Sequence, residues 1–255
     1  SARAIIPPDR VIMTDIIKPL QDRIALVTGA SRGIGAATAV KLAALGAHVV
    51  LVARTQGGLE EVDDAIRKVG GTASLTPLDL TEFERIDKLG AALYERYKKL
   101  DILIGNAGLL GTLGPMGHTD PQVWDQTMAV NVTANWRLIR SMDPLLRQSD
   151  AGRAIFLTST AGQRARAYWG IYAVSKAALE MMINTYAQEV EKTQIRVNLF
   201  NPTGTRTGMR ARAFPGEDPM TIQTPEYVAD QIVELALPSF TANGETIKAT
   251  NPPGL

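Results

Sequence analysis

The stretch IALVTGASRGIG, residues 24–35, decides the fold, because it joins a short apolar run to a glycine-rich turn and then to a helical pattern. This order is typical of a buried strand that enters a βαβ unit. Gly29 permits a tight turn, Gly33 lets the backbone approach a pyrophosphate, and Gly35 lets the helix pack close to the sheet. Amides at that helix N-terminus favour phosphate. The stretch predicts a dinucleotide-binding turn; the alternative is a glycine turn that serves packing alone.

Strands and helices alternate along the rest of the chain. The strand-like segments are apolar runs rather than polar–apolar alternations, which is typical of a parallel sheet covered on both faces. We therefore predict an α/β fold: a single doubly wound, Rossmann-type domain with a seven-stranded, mainly parallel sheet and helices on both faces. The predicted strands are residues 24–28, 48–53, 73–80, 101–108, 154–159, 195–202 and 245–250, and the predicted helices are residues 34–45, 59–69, 84–97, 121–147, 171–192 and 224–237.

The N-terminal residues do not join this pattern. We predict an N-terminal extension over residues 1–20 and the single domain over residues 21–255. Met13 is a plausible native start, which makes residues 1–12 either a vector remnant or the product of an upstream start. The segment lacks the apolar region and cleavage site of a signal peptide. No stretch of the chain reaches the roughly 18 apolar residues that span a bilayer. We expect a cytoplasmic protein without a membrane partner.

Composition narrows the classes of function. The chain carries 27 basic and 26 acidic residues, so its net charge gives no sign of the strongly basic face of a nucleic-acid-binding protein. It has no cysteine, which excludes disulfides and thiolate chemistry. The two histidines, His48 and His118, argue against a metal site built on histidine. We expect neither a metal nor a nucleic-acid partner.

The end of the second predicted strand bears on the choice of dinucleotide. A site for NAD usually has an acidic residue there for the ribose hydroxyls, whereas a basic residue suits the 2′-phosphate of NADP. The sequence Val52-Ala53-Arg54 offers no carboxylate, and Arg32 in the glycine turn is a second cation expected nearby. The alternative for either arginine alone is a solvated surface charge. Together they favour NADP(H).

Tyr172 and Lys176 stand four residues apart in YAVSK and so share one face of a predicted helix. Spacing alone is weak evidence, since Tyr94 and Lys98 repeat it in a peripheral helix. Ser159 strengthens the case, because it ends an apolar strand, where an open α/β sheet forms its ligand crevice. We expect the lysine ammonium to lower the pKa of Tyr172, which then exchanges a proton with a carbonyl or alcohol oxygen. Ser159 donates to that oxygen.

From residue 22 to about residue 202 the chain resembles the short-chain dehydrogenase/reductase (SDR) family. Residues 28–35 look like the cofactor loop of the family, and Asn106-Ala107-Gly108 looks like its Asn-Ala-Gly turn. Asn131 in AVNVT resembles the asparagine that holds a water of the proton relay. Together, the residues that look like the family's catalytic tetrad are Asn131, Ser159, Tyr172 and Lys176.

The resemblance implies an oxidoreductase that transfers a hydride between NADP(H) and a carbonyl or secondary alcohol, with Tyr172 as general acid and base. Leu78-Asp79-Leu80 looks like the family's adenine-contacting acid, and Lys176 would also bind the nicotinamide ribose. The residues expected to contact NADP(H) are Gly29, Ser31, Arg32, Gly33, Ile34, Gly35, Arg54, Asp79, Leu80, Asn106, Ala107, Gly108, Tyr172, Lys176, Pro202, Thr203, Thr205 and Thr207.

Two places depart from the family pattern. Pro202 is followed by Thr203, where the family usually has glycine, and the C-terminal TANGETIKATNPPGL lacks the usual glycine-rich ending. Thr207 still stands five residues after Pro202, where a hydroxyl commonly contacts the nicotinamide carboxamide. The departures bear on the C-terminal side of the pocket and on one oligomer contact.

The substrate pocket is expected to be lined by residues 109–114, 160–169 and 208–219. Their large apolar side chains form a wall of this pocket or pack between subunits or loops; they are Tyr168, Trp169, Met209 and Phe214. Two arginine clusters attract an anionic substrate, such as a phosphopantetheine- or CoA-linked acyl group, or form solvated faces or ion pairs between subunits. They are Arg164 with Arg166, and Arg206 with Arg210 and Arg212.

Other functions stay open. A narrower alternative is a 3-oxoacyl-thioester reductase that acts on acyl carrier protein or CoA substrates. Enoyl reduction, dehydration or epimerisation would keep the cofactor and change the reaction, and a non-catalytic NADP(H)-binding regulator would be expected to show a degraded tetrad. Family members generally pair through the two long helices, residues 121–147 and 171–192, so we expect a homodimer or homotetramer.

Overall fold

Seven strands form one sheet in the structure, a computed structural model that describes residues 18–254. Their order across the sheet is β3-β2-β1-β4-β5-β6-β7, and every neighbouring pair is parallel. The predicted doubly wound α/β fold is confirmed, and the sheet is parallel throughout. The strands are β1 (Ile24–Thr28), β2 (His48–Ala53), β3 (Thr72–Pro77), β4 (Ile102–Gly105), β5 (Arg153–Leu157), β6 (Arg196–Asn201) and β7 (Thr246–Lys248).

Helices lie between successive strands, as parallel neighbours in a sheet require. The segment predicted as one helix over residues 121–147 is helical throughout but consists of α4, a π-helix (Ala129–Thr133) and α5. The helices are α1 (Gly33–Ala44), α2 (Gln56–Lys68), α3 (Phe83–Tyr97), α4 (Pro121–Met128), α5 (Ala134–Leu146), α6 (Thr160–Gln163), α7 (Gly170–Glu189), α8 (Gly208–Ala213) and α9 (Pro225–Ala236), with short 3₁₀ turns at Met116–His118 and Pro219–Thr221.

Two hydrophobic cores lie on opposite faces of the sheet. Successive residues of a strand point to opposite faces, so Leu26 packs in one core while Ala25 and Val27 pack in the other. Both faces of β1 are therefore apolar, which explains its unbroken apolar sequence. Helices α1, α2 and α9 cover one face through residues such as Leu42, Ile66 and Ile232, and α3, α5 and α7 cover the other through Ile86, Leu138 and Ile183.

The carboxyl ends of four neighbouring strands bring the predicted site residues to one edge of the sheet. The glycine turn follows β1, Asn106 follows β4, Ser159 follows β5 and Pro202 follows β6. The strand order reverses between β1 and β4, which is where open α/β sheets bind their ligands. Helices α6 and α8, which follow β5 and β6 at this edge, are not predicted from the sequence. β3 ends at Pro77, so the segment 78–80 follows the strand instead of lying within it.

Residues 1–17, which make up most of the predicted N-terminal extension, lie outside the described residues. Leu20, which the prediction places in that extension, is fully buried, and its amide donates to the Leu45 carbonyl at 2.9 Å. Between residues 18 and 254, no helix is long and apolar enough to span a membrane.

Candidate active site

The conformation of the glycine turn after β1 depends on left-handed glycines and on hydrogen bonds from Asn106. Gly29 and Gly33 have φ values of 63° and 57°, in the left-handed region that favours glycine. Asn106 Nδ2 donates to the carbonyls of Thr28 at 2.9 Å and Gly29 at 3.2 Å, so the β4 end braces the turn. A Cβ on Gly35 would collide with the Gly29 carbonyl oxygen and with Asn106 Nδ2. The residue types at this turn fit a dinucleotide phosphate, which needs close backbone approach.

The turn faces the segment after β6 across the crevice. A Cβ on Gly33 would lie 3.5 Å from Thr207 Cγ2, with no other atom within 4 Å outside that threonine. Thr207 caps α8, accepting from the Arg210 amide at 3.2 Å, and so has a fixed position opposite the glycines. A phosphate chain lying over Gly33 would therefore contact both sides.

The cations predicted to read the 2′-phosphate lie at the surface near one acidic group. Arg32 and Arg54 are both exposed. The Asp79 carboxylate accepts from the Thr81 amide and hydroxyl at 2.9 and 2.8 Å. Burial opposes ionisation of Asp79, but the Thr81 hydrogen bonds and the charge of Arg54 lower its pKa overall. Arg54 thus lies close enough to Asp79 to act on it, beside the predicted adenine site.

Tyr172 on α7 and Ser159 at the end of β5 face one cavity. Ser159 accepts from the Ala161 amide at 3.2 Å as the cap of α6, and its side chain lowers the pKa of the nearby Tyr172 phenol in part. The Trp169 ring meets the Tyr172 ring edge-on, with 6.0 Å between centroids. Two hydroxyls therefore converge beside an aromatic wall, an arrangement that can bind and protonate a carbonyl oxygen.

Lys176 is buried one helical turn beyond Tyr172. Its Nζ donates to the Leu157 carbonyl at 2.8 Å and lies 5.8 Å from the centroid of the Tyr172 ring. Burial lowers the pKa of Lys176 to about 8, against the opposing charge of Glu180. Burial raises the pKa of Tyr172, and the Ser159 hydrogen bond only partly offsets this. The expected lowering of the Tyr172 pKa is therefore not found: the Lys176 ammonium donates to the Leu157 carbonyl, and desolvation of the phenolate outweighs the attraction of its charge.

Asn131 lies fully buried within the π-helix. Its Oδ1 accepts from the Leu109 amide at 2.7 Å, and its Nδ2 donates to the Leu109 carbonyl and to Ser175 Oγ, both at 2.9 Å. The Ser175 hydroxyl donates in turn to the Tyr172 carbonyl at 2.8 Å. The amide thus ties the loop after β4 to α7. π-Helical turns often occur at functional sites, because they change the backbone bonding locally.

Sequence reasoning missed two residues beside this group, Ser175 and Glu180. Glu180 Oε1 accepts from the Thr158 hydroxyl at 2.6 Å and from the Gln163 amide at 3.1 Å. It stands four residues after Lys176, as Lys176 stands four after Tyr172, so one helix face carries all three. That spacing is the signal that could have identified Glu180.

Thr203, where the family usually has glycine, adopts a φ of 57°. A β-branched residue rarely enters this left-handed region. Its amide donates to Asn201 Oδ1 at 3.0 Å, and its Oγ1 accepts from Gln223 Nε2 at 2.8 Å. Gln223 Nε2 also donates to the Pro202 carbonyl at 2.8 Å. Hydrogen bonds from both sides hold the glycine-like conformation that this departure from the family pattern would otherwise disfavour.

One cavity of about 580 Å³ is lined by two of the four predicted catalytic residues and by six of the predicted cofactor residues. It reaches from Ile34 at the start of α1 to Ser159 and Tyr172. Asn131 and Lys176 are buried and do not line this cavity. Arg32, Arg54, Asp79 and Asn106 do not line it either. The predicted cofactor residues that line the cavity are Ile34, Tyr172, Pro202, Thr203, Thr205 and Thr207.

The predicted pocket wall is present apart from one residue. Trp169, Met209 and Phe214 line the cavity, but Tyr168 is 65% exposed and does not. The side chain of Arg206 donates to the carbonyls of Pro219 and Ile222, at 2.7 and 3.4 Å, so it has a structural role.

Known proteins resemble this chain in sequence and in fold. A family model described as short chain dehydrogenase matches residues 23–218. The uncharacterized oxidoreductase YciK of Escherichia coli K12 is 44% identical over 209 residues, covering 81% of this chain and 82% of YciK. A fatty acyl-CoA reductase of Acinetobacter baylyi is 35% identical over 215 residues, covering 84% of this chain and 72% of that protein. A short chain dehydrogenase of Escherichia coli CFT073, crystallised with NADPH, has a TM-score of 0.87 and 42% identity, covering 91% and 98% of the two chains.

A parallel, doubly wound sheet with a glycine turn after its first strand is typical of dinucleotide-binding proteins. Together with the match over residues 23–218 and these relatives, it assigns the family. The chain belongs to the short-chain dehydrogenase/reductase family.

Proposed function

We propose that this protein is an NADP(H)-dependent oxidoreductase that interconverts a carbonyl compound and the corresponding secondary alcohol. The observation that carries the proposal is the single cavity in which Tyr172 and Ser159 meet Ile34 and Thr207 of the cofactor crevice. A carbonyl oxygen held between the two hydroxyls has its carbon directed at that crevice.

The bound cofactor supplies the hydride that reaches the carbonyl carbon. Tyr172 donates its phenolic proton to the carbonyl oxygen, and the Ser159 hydroxyl donates a hydrogen bond to the same oxygen as negative charge develops. The raised pKa of Tyr172 keeps the phenol protonated until transfer. Lys176 then stabilises the phenolate, which regains a proton from solvent. Asn131 acts through Ser175 by holding α7 in place.

NADP(H) is proposed over NAD(H) because Arg32 and Arg54 are exposed beside the glycine turn and β2 ends without a carboxylate. The solved NADPH complex of a 42% identical relative supports the same choice. Asp79, already engaged by Thr81, offers its remaining lone pairs to an adenine amine.

The decisive experiment titrates the purified protein with NADPH and NADH, following fluorescence of the reduced nicotinamide. In Arg54→Ala, NADPH should bind about ten- to a hundredfold more weakly, since a charge-assisted hydrogen bond contributes roughly 1.5–3 kcal/mol. Affinity for NADH should not change. Arg67→Ala removes an exposed arginine of α2, 71% exposed, as the matched control. Equal affinity of the wild type for both cofactors would contradict the NADP assignment, and failure to bind either would contradict the oxidoreductase proposal.

A 3-oxoacyl thioester, whose 3-oxo group is the ketone to be reduced, is a second candidate substrate. The Acinetobacter baylyi relative named as a fatty acyl-CoA reductase, together with the arginines along residues 160–169, favours it. A screen that includes acetoacetyl-CoA beside simple ketones separates this candidate from general carbonyl reduction.

A further inference from the structure

The walls of the cavity carry positive charge without compensating negative charge. Among the residues that line it, Arg164, Arg166, Arg210 and Lys248 are cationic, and none is an aspartate or glutamate. The chain as a whole has a net charge of only +1, so this imbalance is local. A concave site with one sign of charge raises the local concentration of ligands with the opposite sign.

One of these cations is neutralised by the protein. Arg210 forms a two-point ion pair with Glu217, at 2.6 Å to each carboxylate oxygen, and its guanidinium lies 3.7 Å from the centroid of Phe214. In contrast, the side chains of Arg164, Arg166 and Lys248 form no hydrogen bond or ion pair with any residue between positions 18 and 254. The uncompensated charge therefore belongs to these three.

Arg166 is exposed and lies beside aromatic rings instead of a carboxylate. Its guanidinium carbon lies 5.0 Å from the centroid of Trp169 and 5.1 Å from that of Phe214, both of which line the cavity. The ring faces attract the guanidinium charge and leave its N–H groups available for a ligand. Trp169 also contacts Tyr172, so a single ring separates the cation from the proposed proton donor.

We propose that the substrate of this enzyme carries an anionic group, carboxylate or phosphate, separated from its reacting carbonyl and bound by Arg166 with help from Arg164. The carbonyl lies against Tyr172 and Ser159, the connecting carbons pack on Trp169, and the anion reaches the guanidinium at the mouth of the cavity. This inference rests on the proposed carbonyl reduction and specifies its substrate class. Arg166 is thereby a specificity residue.

Two matched pairs of compounds test the inference with saturating NADPH. The carboxylate pair is 4-oxopentanoate and its methyl ester, and the phosphate pair is acetoacetyl-CoA and the acetoacetyl thioester of N-acetylcysteamine. Each pair keeps the reacting carbonyl and removes the anionic group. We expect the wild type to prefer the anionic member of at least one pair in kcat/KM, and the pair that shows the preference identifies the anion.

Arg166→Gln should reduce that preference by about ten- to a hundredfold, which is the contribution of a charge-assisted hydrogen bond. Arg166→Lys should retain part of it, because the charge remains but the planar guanidinium, which can donate at two points, is lost. Arg212→Gln is the matched control, since Arg212 is exposed on α8 and does not line the cavity.

Three results would overturn the inference and leave the proposed function intact. The wild type could show no preference for the anionic member of either pair, or Arg166→Gln could lose the same activity on both members of a pair. A fall in the affinity of Arg166→Gln for NADPH would assign the arginine to the cofactor. Absence of reduction of every compound would instead contradict the proposed function. In that case, calorimetric titration of the NADP⁺-loaded protein with the four compounds decides the inference. Binding of an anionic member that is lost in Arg166→Gln supports it, and absence of binding overturns it.

Discussion

A side chain at position 35 has no room in this fold, since any Cβ there would meet the Gly29 carbonyl and the amide of Asn106. Asn106 is itself fixed by its hydrogen bonds to the end of β1. The glycine turn and the Asn-Ala-Gly turn are thus one packed unit, and the position of each depends on the other.

We expect Gly35→Ala to destabilise the protein by about 1–3 kcal/mol, the usual cost of overpacking a rigid site. It should also weaken binding of NADPH, because the turn must shift. Denaturant unfolding and cofactor titration measure the two effects. Gly57→Ala is the control: a methyl group added there would have no atom within 4 Å, and the φ of Gly57 is not positive. The free energy of unfolding of Gly57→Ala should rise by up to about 1 kcal/mol, because alanine has the higher helix propensity. A Gly35→Ala variant with the stability and the NADPH affinity of the wild type would refute the packing argument.

At the scale of elements, α7 carries Tyr172, Lys176 and Glu180 along one face. The pKa of Lys176 is about 8, and Glu180 raises it from a still lower value. Lys176 is therefore cationic below about pH 8 and loses its charge as the pH rises through that value. Tyr172, whose pKa is raised, stays protonated over the same range.

We therefore expect kcat/KM for reduction to be level below about pH 8 and to fall above it, because a neutral Lys176 no longer stabilises the phenolate. Glu180→Gln should move this inflection to lower pH, since it removes the charge that keeps the lysine protonated while retaining an oxygen acceptor for Thr158. A pH–rate profile with saturating NADPH measures both. An inflection that Glu180→Gln leaves in place would show that another group controls the profile.

Elements with a strong internal pattern were predicted well, and those without one were missed. β1 and β2 were predicted to the residue, because each is an apolar run ended by a glycine turn or an arginine. The four-residue α6 and six-residue α8 are too short to show helical periodicity, and a π-helix differs from an α-helix by one hydrogen-bond step that side-chain spacing does not reveal. The strand ends that carry the glycine turn, Asn106, Ser159 and Pro202 meet at one edge of the sheet, but the partners of Lys176 and Asn131 depend on packing across elements.

At the scale of the whole molecule, α5 and α7 pack on the same face of the sheet and expose large apolar side chains. Trp136 on α5 is 47% exposed, and Val174 and Met181 on α7 are 38% and 70% exposed. Exposed apolar residues grouped on neighbouring elements are typical of an interface.

We predict a homodimer or homotetramer that pairs through these helices. Light scattering at micromolar concentration should give a mass above that of one chain, and Met181→Glu should shift it toward the monomer. Met220→Glu is the control, because Met220 is similarly exposed at 67% but lies on the Pro219–Thr221 turn, away from both helices. A monomeric wild type would contradict the prediction.

Trp169 also gives the protein a built-in optical reporter. The chain has three tryptophans, and only Trp169 borders the cavity. Its ring centroid lies 6.0 Å from that of Tyr172 and 5.0 Å from the guanidinium carbon of Arg166. With Trp124 and Trp136 replaced by phenylalanine, the remaining indole emission would respond to whatever enters the space between Arg166 and Tyr172. Quenching or a spectral shift of the Trp169 emission would then report ligand binding in real time, before the reaction begins. The measurement would need no attached dye.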